Sequence, residues 1–281
     1  MTVPALSNLI KGVLTRAGVD NPDGDAREII AAAMDIGYRD LFSLQDAEVT
    51  DEAREKAEKM ALRRAAGEPI QYVIGSWSFM GRDYKVGEGV LIPRDDTEVV
   101  VSEALRLIRT VKAPVIADLC SGSGIIAVTL ERELEGSSAY AVEKSEAAYR
   151  YLTENAELNH SPVKTILADL RDCVGNFEDE SLDLLISNPP YIRSDEIVQL
   201  QSEVQYEPRL ALDGGESGCD FYEMIISLWT KKLKSGGIIA FELGEGQFGY
   251  VSSLLKAAGY SEITGQPDIQ GITRAVTARK L

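Results

Sequence analysis

The chain has 281 residues, 44% of them apolar, with 29 basic against 45 acidic side chains and a formal charge of -16. That length suits one large domain or, more naturally, a domain of about 180 residues with a smaller companion. The acidic balance opposes binding of free nucleic acid unless a local basic patch overrides it. A single histidine, His160, argues against a serine-hydrolase triad or a histidine-rich zinc site.

The three cysteines (Cys120, Cys173 and Cys219) fit neither a metal spacing nor a paired framework, so a reducing cytoplasm is expected. Lys11 and Arg16 interrupt the first apolar stretch, so no secretion signal is expected there, and no run is long enough to span a bilayer.

Residues 4 to 17 carry Leu6, Leu9, Ile10, Val13 and Leu14 on one helical stripe. Asn21-Pro22-Asp23-Gly24 breaks the chain, and Asp25 is expected to cap a second helix to about Met34. Thr50 caps a third, which Gly67-Glu68-Pro69 stops. A small helical domain over residues 1–68 follows, with substrate docking as its expected role and a packing cap on the catalytic domain as the alternative. From Ile70 to Ile92, aromatic and β-branched residues among glycines predict a hairpin or two, so residues 69–95 read as a hairpin linker. After Leu91-Ile92-Pro93-Arg94, Asp96 or Thr97 is expected to cap a helix to about Ile108, with Arg94 and Thr97 near a ligand mouth.

Residues 96–281 have an α/β pattern. The strand Val115 to Leu119 carries Asp118 and runs into Cys120-Ser121-Gly122-Ser123-Gly124, then a helix from Ile125. Glycines at such a turn let backbone N–H groups approach a ligand closely. A second strand ends at Glu143, placed to accept ribose hydroxyls, although a solvated end-of-strand charge is the alternative. A third, Val163 to Ala168, ends at Asp169; Asp169 and Leu170 either flank an adenine or, for Asp169, cap a helix. Asp118 would repel a pyrophosphate and welcome an ammonium or sulfonium, which favours S-adenosyl-L-methionine over a nicotinamide dinucleotide.

The strand Leu182 to Ile186 delivers Asn188-Pro189-Pro190-Tyr191. Two prolines cannot continue a central strand, so the loop leaves the sheet stiff and extended at a ligand-binding edge. It presents an amide, two carbonyls and a ring to a flat nitrogen group. Beyond it, residues 192–205 are expected to be helical and 206–215 irregular. A helix from Cys219 to Leu233, a strand from Ile238 to Leu243, a helix from Gln247 to Ala258 and a closing hairpin bring the expected count to seven strands.

Together these motifs resemble the bacterial peptide chain release factor glutamine methyltransferases, the PrmC/HemK family. The resemblance runs the whole length. It rests on Gly67-Glu68-Pro69 with Tyr72 and Gly75, Leu91-Ile92-Pro93-Arg94 with Asp96-Thr97-Glu98, Asp118 with Gly122 and Gly124, and Asn188-Pro189-Pro190-Tyr191 with Glu207-Pro208. It implies a seven-stranded Rossmann-like class I methyltransferase domain behind a helical N-terminal domain. It also implies S-adenosyl-L-methionine as donor, with S-adenosyl-L-homocysteine as product and no metal. The implied target is the glutamine amide nitrogen in the Gly-Gly-Gln motif of class 1 release factors, with no direct nucleic-acid partner.

By that resemblance residues 120 to 124, Glu143, Asp169 and Leu170 hold the donor, and Asn188 touches donor and substrate. Cys120 stands where the family commonly has glycine, and Asp95 where a proline is common. A monomer is expected. The rivals are an adenine-N6 methyltransferase of DNA or RNA, which would use the same loop on a ring amine, and a binding module without transfer.

Overall fold

A computed structural model describes residues 1–44 and 47–281. By internal contacts the chain divides into two compact units, residues 1–77 with 201–206, and residues 78–200 with 207–281.

The first unit holds α1 (Val3–Arg16), α2 (Pro22–Ala33), α3 (Asp51–Ala65) and α4 (Ile70–Ile74). Leu6, Ile10 and Leu14 of α1 pack against Ile29 and Ile30 of α2 and Ala57 and Met60 of α3. The second helix starts earlier than expected. Asn21 is its cap, accepting the Gly24 N–H at 3.1 Å, and Pro22 sits in the first turn, where its missing N–H is harmless. Asp25 lies buried inside the helix and pairs with Arg64 at 2.6 Å; Arg64 in turn reaches Glu203 at 2.6 Å. This ion-paired arginine, with the Tyr206 hydroxyl on the Ala66 carbonyl at 3.1 Å, fixes residues 201–206 to the helices. Where strands were expected at Ile70, one helical turn forms and buries Ile70 and Val73; Gly75, at φ 85°, ends it.

One hairpin follows, β1 (Ser76–Phe79) and β2 (Arg82–Lys85). The second unit then runs α5 (Asp95–Ile108), β3 (Val115–Leu119), α6 (Ile125–Glu133), β4 (Ser138–Glu143), α7 (Glu146–Leu158), β5 (Lys164–Leu167), α8 (Leu170–Cys173) and β6 (Leu182–Ser187). It continues with α9 (Arg209–Leu212), α10 (Asp220–Trp229), β7 (Leu233–Glu242), α11 (Phe248–Ala257), β8 (Tyr260–Pro267) and β9 (Thr273–Lys280). The seven-stranded sheet has the order β5-β4-β3-β6-β7-β9-β8. Its first five strands are parallel, and β9 runs antiparallel to both β7 and β8.

Alternation along each central strand gives the sheet two apolar faces. Ile116, Leu184, Ile186, Ile238 and Ala240 meet Val100 and Ala104 of α5, Ile126 and Leu130 of α6 and Leu152 of α7. Ala117, Leu119, Leu185, Ile239 and Phe241 meet Tyr222 and Trp229 of α10 and Val251 and Leu255 of α11. Parallel order reverses at β3, flanked by β4 and β6, and the chain leaves β3 and β6 at adjacent carboxyl ends. A crevice opens between them.

Two further expectations are corrected. Residues 192–205 form no α-helix; they hold two short 3-10 turns, Ile197–Gln199 and Val204–Tyr206, because their backbone groups bond elsewhere. Ile192 donates to the Leu212 carbonyl at 2.9 Å, and Ser194 to Gly215 at 3.0 Å. The strand expected from Ile238 begins at Leu233, with Gly236 and Gly237 inside it beside a register shift rather than in a turn.

Candidate active site

The crevice is a cavity of about 240 Å³ inside the second unit. Cys120, Ser121, Gly122 and Ser123 line it, as do Glu143, Asp169 and Leu170, together with Arg94, Thr97, Asn188 and Pro190. Asp118, Gly124, Pro189 and Tyr191 do not line it.

Each of those four has a structural task close by. Asp118 shares the sheet face of Ile116 and is fully buried against α6, where its Oδ2 accepts the Ala127 N–H at 3.2 Å. Its Oδ1 is buried without a partner among the described residues, and burial pushes its carboxyl up to about 8. Gly124 starts α6 at φ 85°, and a Cβ there would sit 2.4 Å from Leu152 Cδ1. The left-handed backbone and the close approach of α7 both demand glycine. Tyr191 turns away from the mouth and donates its hydroxyl to Glu242 at 3.2 Å, which with burial raises its own pKa. Pro189 is buried at the root of the loop.

Glu143 ends β4 and accepts two backbone N–H groups, Gly122 at 2.8 Å and Ser145 at 2.7 Å. Burial raises its carboxyl and these bonds oppose the rise. Each oxygen keeps a lone pair for a hydroxyl in the cavity. Gly122 is at φ 54°, and a Cβ there would meet nothing within 4 Å. Its backbone is therefore open to a ligand. Cys120 takes a comparable left-handed conformation at φ 59°, and burial among Glu143, Asp118 and Asp169 raises its thiol, which is no thiolate nucleophile.

Asp169 caps α8 through the Arg171 N–H at 2.9 Å and pairs with the Arg171 guanidinium at 2.6 Å and with Lys144 at 2.9 Å. The Arg171 bond holds its pKa well below the usual carboxylate range. Both oxygens are heavily used, so the capping role that competed with adenine contact is the one its geometry displays.

Asn188 donates from Nδ2 to the Thr97 hydroxyl at 3.2 Å. Its Oδ1 takes no protein hydrogen bond among the described residues. Arg94 pairs with Glu207, which also accepts the Ile92 N–H at 2.9 Å and so fastens the Leu91-to-Arg94 stretch over the cavity. Burial raises Glu207, and Arg94 opposes it. Thr97 is buried in the first turn of α5 and is not its cap; the helix begins at Asp95.

Sequence reading missed Gln247 and Gly214. Gln247 donates to the carbonyls of Tyr191 (2.9 Å) and Gly218 (3.0 Å), and accepts from the Gly244 N–H (2.9 Å) and the Tyr222 hydroxyl (3.1 Å). A Cβ on Gly214 would sit 2.7 Å from Tyr191 Cα. Both brace the Asn-Pro-Pro-Tyr loop from segments remote in sequence, which no local pattern marks. Phe221 and Met224 of α10 complete the apolar lining. Among the described residues no cluster of three or more His, Cys, Asp or Glu is placed to hold a metal, and no helix is long and apolar enough to cross a membrane.

Known proteins resemble this chain along most of its length. Residues 6–75 match the PrmC N-terminal domain, and residues 100–206 the methyltransferase small domain. The release factor glutamine methyltransferase of Geobacter sulfurreducens is 36% identical over 279 residues, covering 99% of this chain and 96% of that protein. The protein of the same name from Clostridium botulinum is 35% identical, covering 96% of each. Among solved structures, the hMettl16 catalytic domain in complex with a MAT2A 3′UTR hairpin superposes with a TM-score of 0.55 at 15% identity, covering 77% of this chain and 91% of that one. A methyltransferase from Pyrococcus furiosus gives 0.51 at 16%, covering 72% and 91%. These last two share the fold alone. With more than a third of its residues identical over nearly the full length of such relatives, the chain belongs to the release factor glutamine methyltransferase family.

Proposed function

We propose that the protein transfers a methyl group from S-adenosyl-L-methionine to the side-chain amide nitrogen of the glutamine in the Gly-Gly-Gln motif of class 1 peptide chain release factors. The observation that carries this reading is the state of Asn188. Its amide N–H is committed to Thr97, so its oxygen is left as an acceptor at the cavity mouth.

The cavity chemistry suits the donor. Glu143 offers lone pairs to the two ribose hydroxyls, the open backbone at Gly122 admits close approach, and Leu170 with Phe221 and Met224 gives apolar surface for a base. The orphaned Oδ1 of Asp118 is an unused acceptor under the glycine turn, and a cationic ligand nearby would draw its raised carboxyl back toward the charged form. When bound, the donor supplies an electrophilic methyl group on a sulfonium.

The residues of the chain do the positioning. An amide nitrogen is a weak nucleophile because its lone pair is delocalised into the carbonyl. Asn188 Oδ1 accepts an N–H of the glutamine amide, orients the nitrogen and stabilises the positive charge that develops on it. No base has to act first, and the proton leaves after transfer. Orientation of this kind contributes on the order of 7–11 kcal/mol at best. The Arg94–Glu207 pair holds the mouth, and the helical unit serves as the docking surface for the factor. The working form is a cytoplasmic monomer.

The experiment is Asn188→Ala, assayed for transfer to release factor and, separately, for donor binding. Turnover is expected to fall about 100-fold or more, with donor affinity changed less than about threefold. Equal losses in both would contradict the role given to Asn188.

A further inference from the structure

We propose that Asn155, a buried amide of α7, is a positioning residue for the methyl donor, clamping the turn from Cys120 to Gly124 in the conformation that receives it. This rests on the reading of the cavity as a methyltransferase centre. Asn155 does not line the cavity and is 0% exposed. Its Oδ1 accepts the Lys85 N–H at 2.6 Å. Its Nδ2 donates to the Lys85 carbonyl at 3.0 Å and to the Ser123 carbonyl at 2.9 Å. The Lys85 N–H can only donate, which fixes the end of the amide that is oxygen, and the two carbonyls then use both amide hydrogens.

Nothing local to a helix asks for a buried asparagine, since its helix propensity is below that of alanine or leucine and an unbonded amide is costly to bury. The demand is tertiary. Two stretches that line the cavity are pressed against α7 where glycine permits it. On one side, a Cβ on Gly124 of the donor turn would collide with Leu152, one helical turn before Asn155. On the other, a Cβ on Gly87 would collide with the Tyr151 hydroxyl, and one on Gly89 would sit 2.8 Å from Ala147 Cβ. Lys85 ends β2, and the chain runs from it through these glycines into the cavity-lining residues 89–94. Asn155 therefore ties the root of that stretch and the donor turn to one helix.

The turn itself is permissive. Gly122 at φ 54° and Gly124 at φ 85° stand on either side of Ser123, and glycine admits many peptide orientations. Asn155 selects one of them. The Ser123–Gly124 peptide is held at both ends, its carbonyl by Asn155 and its N–H by the Ser121 carbonyl at 2.8 Å. The Ser121 N–H is bonded to the Val142 carbonyl at 3.0 Å and the Gly122 N–H to Glu143 at 2.8 Å. The Ser123 N–H takes no partner among the described residues and lies in the cavity lining, available to an acceptor group of the donor. Without Asn155 the buried Ser123 carbonyl is unpaired, so the peptide rotates between its glycines to find a partner and the presented N–H is lost. Holding the turn beforehand spares the donor that ordering.

Titration calorimetry with S-adenosyl-L-homocysteine, beside thermal unfolding of each variant, tests this. Asn155→Asp keeps the shape and the acceptor for Lys85 but, when ionised, cannot donate to either carbonyl. Its affinity for the ligand should fall about 10- to 100-fold, and its KM for S-adenosyl-L-methionine should rise by a similar factor. Leu255→Ala, in the core on the other face of the sheet, is the control for lost stability alone. It should melt at lower temperature and keep ligand affinity within about twofold of wild type. An Asn155→Asp protein that is destabilised like the control, yet binds within about twofold of wild type, would reduce Asn155 to packing and overturn the proposal. If Asn155→Asp does not fold, Asn155→Ala, which removes all three bonds, decides alone: weakened binding beyond that of the control supports the clamp, and wild-type affinity refutes it. A wild type that binds neither S-adenosyl-L-homocysteine nor S-adenosyl-L-methionine sinks the functional reading itself, whereas equal binding by wild type and variants sinks only this inference.

Discussion

Gln247→Ala probes the bracing of the catalytic loop. The side chain makes four hydrogen bonds of 2.9 to 3.1 Å, two of them on carbonyls that flank the loop's exit, at Tyr191 and Gly218. A net value of about 0.5–1.5 kcal/mol each gives a range of about 2–6 kcal/mol. The lower part of that range applies, because the residue is only half buried and water can replace some partners, and because Tyr222 keeps its bond to the Glu242 carbonyl. A loss of about 2–3 kcal/mol should lower the melting temperature of the larger unit by about 4–12 °C. Turnover should fall more than donor affinity, since the loosened segment is the one that carries Asn188. Calorimetry with parallel transfer and donor-binding assays measures all three. A melting temperature within about 1 °C of wild type, with undiminished turnover, would refute the bracing argument.

Gly124→Ala forces a Cβ to 2.4 Å from Leu152 Cδ1 at φ 85°, and denaturant unfolding should record a loss of about 1–3 kcal/mol. Glu143→Gln keeps the shape but removes acceptor capacity used by Gly122 and Ser145. Titration calorimetry should find donor affinity down by about 10- to 100-fold, about 1.4–2.8 kcal/mol, with the fold intact. In the helical unit, Arg64→Ala strands the buried Asp25 carboxylate. The loss should approach about 3–5 kcal/mol in urea unfolding at neutral pH.

The parts of this fold that were legible in the sequence are those where a local pattern and a tertiary demand coincide. Val115 to Leu119 is an apolar run, both faces of its strand are covered, and the glycines after it are needed where they stand. Thr50 caps its helix as its neighbours suggest. Asn21 and Asp25 were harder, since either suits a cap. A buried arginine 39 residues on claims Asp25, and no local rule contains that fact. The turn at Ile70–Ile74 is too short for a helical period to be visible among glycines. Residues 192–205 have enough apolar positions for a helix, but their backbone is tied to Leu212, Gly214 and Gly215 instead.

At the site the same division holds. Asn188, Glu143 and the glycine turn are marked by motif, and the structure places each at the crevice. Asp118 and Tyr191 carry the motif too, yet alternation and a buried partner draw their side chains away from the cavity. Glu242 and Gln247 lie more than 50 residues beyond the loop and acquire meaning only once β7 is laid beside β6.

The most direct measurement supplies labelled S-adenosyl-L-methionine with purified release factor, with its Gly-Gly-Gln glutamine replaced by alanine, and with DNA or RNA, and maps the label by mass spectrometry. The account predicts one methyl group on the side-chain nitrogen of that glutamine and none on the alanine form or on nucleic acid. Label on the alanine form, or on an adenine amine, would contradict it.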